Sequence, residues 1–512
     1  MEFRRTTNNI GFTEGQENEE GTEGTSEGER GKKMIEGKSK ILFVKPPDRF
    51  LEDEFVYQQL GPHYLQSFLK QYEILSDILV LYEQSEVRNK REAGEIKELS
   101  LEHLNMLFLG ADEKSQDSVF DNSIFQNYDI VALSVMSPQA SDAYLISKLI
   151  NELYPQITIV IGGSHPRYYQ TQVESLPESI AFDFIVPQDG WIPIYKIATG
   201  QIKKTKKSIV LSDNSLKLTE LPAPSRPVAL MERYNFDIAG VPAYHTITAL
   251  GCPFTCNFCE SGRENVRKFS ENMIDHDLGV MAEAHQTLKH DKKAVMFFDD
   301  VGLMNPKQVE GLSHLVHKHN YTTWRAFTHA YLVVRFKERL LAPFAETGGR
   351  RIGMGLETGS QRSLDMINKR NGKKQFVEEH IEAVKIANDL GVAVDAFTMI
   401  YPWEDEQDLI DTTEMVKQVA QNPVNGVDEK GRIMKNHVDS TIMTPFQGTQ
   451  FFDMIQLGEL RGVKMIPEID PGSLYYKGNH AGSGWPYLKT RLPREQYEEA
   501  QAFRNSFRPE YR

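Results

Sequence analysis

The sequence has very little cysteine, and all of it lies in one short stretch. The chain of 512 residues has three cysteines, Cys252, Cys256 and Cys259, in the spacing CxxxCxxC. The odd number argues against a disulfide framework, and without a histidine in the loop a structural zinc site lacks its fourth ligand. An iron–sulfur cluster is held by cysteine thiolates, and three ligands leave one iron open to a small molecule. An open coordination position is typical of a reactive metal site.

Long apolar runs and an excess of basic residues are also absent from the sequence. No stretch approaches the roughly 18 apolar residues of a membrane-spanning helix, and no signal-peptide core follows Met1. The formal net charge of −14 argues against a large nucleic-acid interface, which needs a basic stripe. These absences predict that the protein has no membrane span and no nucleic-acid partner. Because cluster-binding thiolates need a reducing compartment, we also expect a cytoplasmic protein.

Composition divides the chain into five segments. Residues 1–38 combine glycine, threonine, asparagine and glutamate with almost no apolar side chain, which predicts a disordered acidic tail. The remaining length requires two domains or more. The segments predicted after the tail are a first domain at 39–198, a connector at 199–240, a second domain at 241–460 and an irregular aromatic cap at 461–512.

Apolar runs alternate with helical stretches in the first domain. Strands are predicted at 40–44, 78–81, 130–135, 157–161 and 184–186, and helices at 64–69 and 143–153. This alternation predicts an α/β fold with a doubly wound parallel sheet, which binds ligands at the carboxyl ends of its strands. The small and polar residues expected there include Ser134, Gly162, Gly163 and Gly190.

The second domain repeats a strand followed by a helix six times. The strands are predicted at 244–249, 294–298, 323–329, 351–356, 392–400 and 437–444. Six such units predict a partial (β/α) barrel whose active residues crowd the carboxyl strand ends. Asp299 and Asp300 close the second strand, where they suit either a helix cap or a ligand's amino group. Glu357 and Ser360 follow the fourth strand.

Both domains resemble a known family. The cysteine loop, with Phe258 before its last cysteine, resembles that of the radical S-adenosylmethionine (SAM) superfamily. The run 353–360 resembles the Gly-Ile-Glu-Ser-Gly-Ser segment that helps to seat SAM there. The strand ending in Pro46-Pro47, the glycines after the strand at 157–161 and Gly190 resemble, in order, the cobalamin-binding domain that precedes many radical SAM cores. The resemblance covers roughly residues 40–460.

The resemblance implies a fold and three cofactors. The first domain would be a flavodoxin-like or Rossmann-like cobalamin-binding sheet, and the second a partial (β/α)6 radical SAM barrel. The residues that it assigns are Cys252, Cys256 and Cys259 for a [4Fe–4S] cluster, Phe258, Asp299, Asp300, Glu357 and Ser360 for SAM, and Ser134, Gly162, Gly163 and Gly190 for cobalamin.

The first domain departs from the family pattern at two points. The Asp-x-His-x-x-Gly pattern that supplies an axial histidine in other cobalamin proteins is absent, which predicts cobalt without a protein imidazole below it. His165 is the alternative ligand, although its position between Gly-Gly-Ser and Pro favours a structural role. The run 188–191, Gln-Asp-Gly-Trp, replaces the usual Gly-Glu-Gly-Glu.

The resemblance also implies a reaction. Cleavage of SAM gives a 5′-deoxyadenosyl radical that abstracts hydrogen from an unactivated carbon, and cobalamin donates a methyl group. We therefore predict a cobalamin-dependent C-methyltransferase that acts on a small molecule, lipid or peptide, with flavodoxin or ferredoxin as electron donor. The alternatives are a radical SAM oxidative cyclase or ring-rearrangement enzyme and, from a different class, a non-catalytic corrinoid or redox sensor. A methylthiotransferase would need further cysteines for a second cluster.

Overall fold

The chain folds around two large β-sheets, and Lys38–Arg512 form one compact unit. The computed structural model describes residues 38–48, 53–83, 108–112, 118–119, 121–136, 139–203, 208–212, 215–261, 264–370, 372–428, 430–445, 448–465 and 488–507. The tail predicted at 1–38, apart from Lys38, lies outside these residues, as does most of the aromatic stretch in the predicted cap.

The first sheet is mainly parallel. Its strands are β1 (Ile41–Lys45), β2 (Ser76–Glu83), β3 (Phe108–Asp112), β4 (Ser118–Val119), β5 (Ile130–Ser134), β6 (Thr158–Gly162), β7 (Phe184–Ile185) and β8 (Ser208–Ile209). Their order is β4-β3-β2-β1-β5-β6-β7-β8, with β3 and β4 antiparallel at one edge. The direction of strand addition reverses between β1 and β5, which is where such sheets bind ligands.

Helices cover both faces of the first sheet. They are α1 (Leu60–Lys70), α2 (Ala140–Leu153), α3 (Ser164–Tyr168), α4 (Gln170–Glu174), α5 (Trp191–Ala198) and, in the connector, α6 (Val228–Met231). Phe43 packs in the core that α1 and α5 share, whereas its neighbours Leu42 and Val44 pack with α2 on the other face. Because both faces are buried, the central strands are continuous apolar runs.

The second sheet is the partial barrel. The remaining strands are β9 (Asp237–Ile238), β10 (Val241–Thr246), β11 (Ala249–Leu250), β12 (Arg267–Lys268), β13 (Ala294–Phe297), β14 (Thr323–Thr328), β15 (Gly349–Glu357), β16 (Ala393–Ile400), β17 (His437–Ile442), β18 (Lys464–Met465) and β19 (Leu488–Lys489). The sheet order is β17-β16-β15-β14-β13-β10-β9, with β10 and β13–β17 parallel and β9 antiparallel. Strand β11 precedes the cysteine loop and β12 follows it, and the two strands pair antiparallel.

Several of the barrel helices begin at polar caps. They are α7 (Glu271–Thr287), α8 (Pro306–Lys318), α9 (Ala330–Phe336), α10 (Glu338–Glu346), α11 (Gln361–Ile367), α12 (Val377–Asp389), α13 (Glu406–Gln421), α14 (Gln450–Gln456) and α15 (Arg494–Asn505). Ser270, Asn305 and Asp405 each accept a hydrogen bond from a first-turn amide of α7, α8 and α13. Such caps satisfy amides that have no partner within the helix, which fixes where these three helices start.

Side chains alternate between the two faces of the barrel sheet. Tyr244 of β10 packs on His285 of α7 with ring centroids 4.4 Å apart, and Trp324 of β14 packs on Phe344 of α10 at 4.6 Å. Since successive strand residues point to opposite faces, His245 points to the inner face of the barrel.

The predicted fold class is confirmed, since a doubly wound sheet precedes a partial (β/α)6 barrel. Two features differ from expectation: the antiparallel pair β3–β4 was not predicted, and β8 lies inside the predicted connector. The segment boundaries themselves stay predictions. Every helix in the described part of the chain is too short or too polar to cross a bilayer.

Candidate active site

The cysteine loop is fastened to the barrel by hydrogen bonds. The backbone N–H of Asn257 donates to the carbonyl oxygen of Ile367 (2.9 Å), and its side-chain amide donates to that of Met366 (2.9 Å). The Thr255 hydroxyl donates to the carbonyl oxygen of Asn368 (2.8 Å). These bonds join the loop to the end of α11, so the barrel sets the positions of the cysteines.

The loop begins at a glycine that no other residue could replace without strain. Gly251 has φ +88°, and a Cβ there would lie 2.5 Å from the carbonyl oxygen of Asn265. Only glycine adopts this backbone at low cost, and the turn brings Cys252 off β11. The N–H of Cys259 then donates to the carbonyl oxygen of Cys256 (3.2 Å), which closes the loop.

The three thiols are the candidate metal ligands of the loop. The three cysteines, all in the described part of the chain, form no disulfide and are partly buried. Burial raises the pKa of Cys252 and raises that of Cys256 to about 12, and the Lys369 ammonium opposes the shift at Cys256. Among the described residues, no three His, Cys, Asp or Glu side chains are placed to hold one metal ion. The loop is therefore not a ready-made mononuclear site, and its all-sulfur donor set suits iron–sulfur chemistry.

Glu357 and Lys369 form a buried ion pair near the cysteines. Lys369 Nζ lies 2.9 Å from Glu357 Oε1 and donates to the carbonyl oxygen of Gly355 (2.6 Å). Glu357 has φ +64° at an irregularity in the β15–β16 pairing, and strain of this kind concentrates at functional sites. Because Lys369 also acts on the Cys256 thiol, an ammonium and a carboxylate stand side by side close to the loop. Such a pair complements the carboxylate and ammonium of an amino acid.

Two other predicted SAM residues have structural hydrogen bonds. Oδ1 of Asp299 accepts from the N–H of Thr248 (2.8 Å), its hydroxyl (2.9 Å) and the N–H of Ala249 (2.7 Å), which fixes β11. Burial raises the pKa of Asp299 to about 6. The Ser360 hydroxyl accepts from the N–H of Ser363 (3.2 Å), which caps α11, and donates to Asp408 (2.5 Å). Their predicted contacts with SAM stay predictions.

Of the remaining predicted SAM residues, Phe258 belongs to the loop and Asp300 lies near it. Asp300 is exposed, accepts a hydrogen bond from Ser261 and acts on the Cys252 thiol. Phe258 packs near Tyr401, with ring centroids 6.4 Å apart. The contacts of Asp300 and Phe258 with SAM stay predictions.

The four residues predicted to contact cobalamin line one cavity of about 340 Å³ at the carboxyl ends of β5 and β6. They are Ser134, Gly162, Gly163 and Gly190. Gly163 has φ +98°, and a Cβ there would lie 2.6 Å from the carbonyl oxygen of Val135, so the turn needs glycine. Leu250, two residues before Cys252, lines the same cavity. The cavity of the first sheet therefore reaches the cysteine loop.

His165 is held on the other side of the first sheet. Its Nε2 lies 2.6 Å from the Tyr144 hydroxyl of α2, and its ring stacks on Tyr169 at 5.1 Å. Burial lowers the pKa of His165 to about 4. Among the described residues, His165 is not one of those that line the cavity, which favours its structural interpretation.

Sequence reasoning missed a segment that joins the two sheets, residues 57–59. Gln59 donates to the carbonyl oxygen of Ser134 (3.2 Å) at the cavity. Gln58 accepts from Arg226 (2.7 Å) and from the backbone N–H of His245 (3.3 Å). The Tyr57 ring lies 5.5 Å from that of His245 on the inner face of the barrel. No sequence motif marks this segment, because its partners are distant along the chain.

One protein-family model matches the part of the chain that carries the cysteine loop. The model of the Radical SAM superfamily matches residues 246–416, which run from the end of β10 into α13 and include the cysteine loop. Proteins of this superfamily use an iron–sulfur cluster and SAM, so the match assigns these two cofactors to the domain.

Two relatives and one solved structure describe the wider similarity. The chain is 24% identical over 342 residues to an uncharacterized methyltransferase of Pyrococcus horikoshii, a match that covers 64% of this chain and 69% of that protein. It is 23% identical over 321 residues to the anaerobic magnesium-protoporphyrin IX monomethyl ester cyclase of Rubrivivax gelatinosus, with coverage of 57% and 55%. The second match thus spans little more than half of the relative.

The solved structure is the radical SAM methyltransferase TsrM of Kitasatospora setae with cobalamin and a [4Fe–4S] cluster bound. It superposes with a TM-score of 0.57 at 10% identity, over 92% of this chain and 91% of that one. At this identity the similarity shows a shared fold. The chain therefore contains a radical SAM domain at residues 246–416, within a two-part fold similar to that of TsrM.

Proposed function

We propose that the protein is a cobalamin-dependent radical SAM C-methyltransferase. The observation that carries the proposal is the meeting of two sites, since Leu250 lines the cavity of the first sheet two residues before Cys252. A corrinoid in that cavity and a cluster on the cysteines would flank one space. The similarity to a protein named a methyltransferase and to the fold of TsrM supports this assignment.

The predicted site residues form three sets, one for each cofactor. Cys252, Cys256 and Cys259 would hold the [4Fe–4S] cluster, Glu357 beside Lys369 would orient the amino-acid part of SAM, and Ser134 with Gly162, Gly163 and Gly190 would hold cobalamin. When bound, the cluster supplies an electron for SAM cleavage and cobalamin supplies a transferable methyl group. Asp299 would fix the strand that carries the loop, and Asp300 and Phe258 would flank SAM.

The overall reaction replaces a C–H bond of the substrate by a C–CH₃ bond. One SAM takes up an electron, breaks its C5′–S bond and leaves as methionine and 5′-deoxyadenosine, which carries the substrate hydrogen. A second SAM gives up its methyl group and leaves as S-adenosylhomocysteine. Two electrons balance the reaction, and we propose flavodoxin or ferredoxin as their donor. Because the thiolates need a reducing compartment, we place the protein in the cytoplasm.

A radical SAM cyclase or rearrangement enzyme is the second candidate. The observation that favours it is the similarity to the magnesium-protoporphyrin IX monomethyl ester cyclase. Such a reaction has no net methyl transfer, so it needs no second SAM. A corrinoid or redox sensor, the alternative of another class, would cleave no SAM.

The proposal is tested with the full chain, reconstituted anaerobically with iron, sulfide and hydroxocobalamin. The chain is incubated with a strong reductant, candidate metabolites and SAM that carries a trideuterated methyl group, and products are analysed by mass spectrometry. We expect a product that carries one trideuteromethyl group, and none with the Cys256→Ala variant, which lacks a cluster ligand. Substrate-dependent 5′-deoxyadenosine without a labelled product would overturn the methyltransferase in favour of the second candidate.

A further inference from the structure

The inner face of the barrel carries a buried histidine whose ring is unsatisfied. The side chain of His245 is 2% exposed, and among the described residues neither of its ring nitrogens has a hydrogen-bond partner. Three aromatic rings surround it, with centroids at 4.6 Å for Phe236, 5.4 Å for Phe298 and 5.5 Å for Tyr57. A buried polar ring without partners costs free energy unless a ligand satisfies it.

The rings continue across the inner face as a row. Phe298 lies 5.7 Å from Phe327 of β14, which lies 6.0 Å from Phe397 of β16. Gly353 of β15 makes room for the row, because a Cβ there would lie 2.3 Å from Phe327 and 3.2 Å from Phe397. We call Tyr57, Phe236, His245, Phe298, Phe327 and Phe397 the aromatic row.

The aromatic row is open at the carboxyl end of the barrel. Phe298 directly follows β13 and precedes Asp299 and Asp300, and it is 43% exposed. Tyr57 is 38% exposed. The two rings are neighbours, with centroids 5.5 Å apart, so their exposed area is one contiguous apolar patch, the kind of surface that marks a binding site. Barrels of this type place their reactive groups at the same end.

The cations near the aromatic row are already paired. Arg325 and Arg351 both contact Asp395 of β16, and Arg226 contacts Asp277 at 2.7 Å. Burial lowers the pKa of His245 to about 3, and Arg226 and Arg325 add to the shift. At neutral pH this imidazole is therefore uncharged, with one donor and one acceptor nitrogen. Arg325 and Arg351 share one carboxylate, that of Asp395, so an anionic group placed here would have to compete with Asp395 for them.

We propose that the aromatic row is the substrate site, that His245 hydrogen-bonds the substrate, and that the substrate is a neutral, flat aromatic or heteroaromatic compound with an N–H or O–H group. Flat rings suit offset or edge contacts with Phe298 and Tyr57, and a polar hydrogen on the ring suits the acceptor nitrogen of His245. The proposal rests on the methyltransferase function and names the substrate class for it.

The test measures binding of three probes to the full chain, reconstituted with cluster, SAM and hydroxocobalamin. The probes are indole, benzothiophene, which has the same shape without the N–H, and indole-2-carboxylate, which adds a charge. Their dissociation constants are measured by saturation-transfer NMR. We expect indole to bind about fivefold tighter than benzothiophene, the effect of one net hydrogen bond. It should bind at least about tenfold tighter than the carboxylate, whose charge would be buried without a cation of its own.

Two variants assign the preference to particular side chains. His245→Phe keeps an aromatic ring and should make indole and benzothiophene bind equally. Phe298→Ala should weaken both by a similar factor, of about tenfold, through lost ring contact. Phe503→Ala removes an exposed ring on α15, outside the aromatic row, and should change nothing.

The wild-type comparison alone can overturn the proposal, even if His245→Phe fails to fold. Tighter binding of the carboxylate, or equal binding of indole and benzothiophene, would contradict it, as would binding that Phe298→Ala leaves unchanged. If the chain transfers a methyl group but shows one of these contrary binding results, the substrate class is wrong and the proposed function stands. If the chain shows the expected binding preferences but transfers no methyl group, the proposed function is wrong and the assignment of the binding site stands.

Discussion

The buried ion pair of Arg226 and Asp277 holds the connector against the barrel, and removing one partner should be strongly destabilising. Both side chains are almost fully excluded from solvent, and they form two hydrogen bonds of 2.9 and 2.7 Å. Arg226 also donates to Gln58 (2.7 Å) and to the carbonyl oxygen of His245 (2.8 Å). The pair therefore supports the segment 57–59 that joins the two sheets.

The expected magnitude follows from leaving one charge unpaired. Arg226→Met leaves the Asp277 carboxylate with the Thr246 hydroxyl (2.7 Å) as its remaining close donor. Breaking a buried pair from one side costs about 3–5 kcal/mol of unfolding free energy, whereas replacing both partners by apolar groups is often close to neutral. The double variant Arg226→Met with Asp277→Leu should therefore lose less stability than either single variant.

The assay is urea unfolding of the chain without added ligands, followed by circular dichroism, so that ligand binding does not add to stability. Lys318→Met is the matched control, because Lys318 pairs with Asp275 at the surface and exposed pairs contribute about 0–1 kcal/mol. A single buried variant no more destabilised than this control would refute the reasoning. So would a double variant whose loss equals the sum of the two single losses.

Two further predictions concern the cavity and Asp299. Gly163→Ala should weaken hydroxocobalamin binding at least about tenfold in equilibrium dialysis, because the new Cβ would lie 2.6 Å from a backbone oxygen in a conformation that favours glycine. Gly311→Ala, whose Cβ would meet open space, should bind normally, and equal binding by both variants would contradict the account of the turn. The pKa of Asp299, about 6 against an ordinary 3.8, means that the folded chain binds this proton more tightly than the unfolded chain. Its contribution to the free energy of unfolding should therefore fall as the pH rises from about 4 to about 6. In urea unfolding, Asp299→Asn should gain stability relative to wild type over that range, and a constant difference would contradict the burial argument.

The fold was predictable where one rule decided the local structure. The run Ile41–Lys45 is buried on both faces, and a strand of that kind is a continuous apolar run that can be identified without a structure. The β3–β4 pair was missed because β3, with the sequence FLGAD, contains glycine and aspartate, which are depleted in strands. β8 was missed because two residues are too few for a periodic pattern.

The site was predictable only in part, for a physical reason. Clustered cysteines identify their own chemistry, whereas an aspartate after a strand suits several roles. Asp299 fixes β11 through Thr248 and Ala249, a choice made by side-chain orientation in the fold. His245 was missed because a single histidine in an apolar strand carries no signal. Its partner Tyr57 is distant along the chain, and the two meet only when the sheets dock.

The most direct test of the central claim is the ratio of two products. The reconstituted chain is supplied with the metabolite identified by label transfer, excess SAM and reductant, and 5′-deoxyadenosine and S-adenosylhomocysteine are quantified together over time. A methyltransferase of this type uses one SAM for hydrogen abstraction and another as methyl source, so we predict equal, substrate-dependent amounts of both products. Substrate-dependent 5′-deoxyadenosine with little S-adenosylhomocysteine would contradict the account.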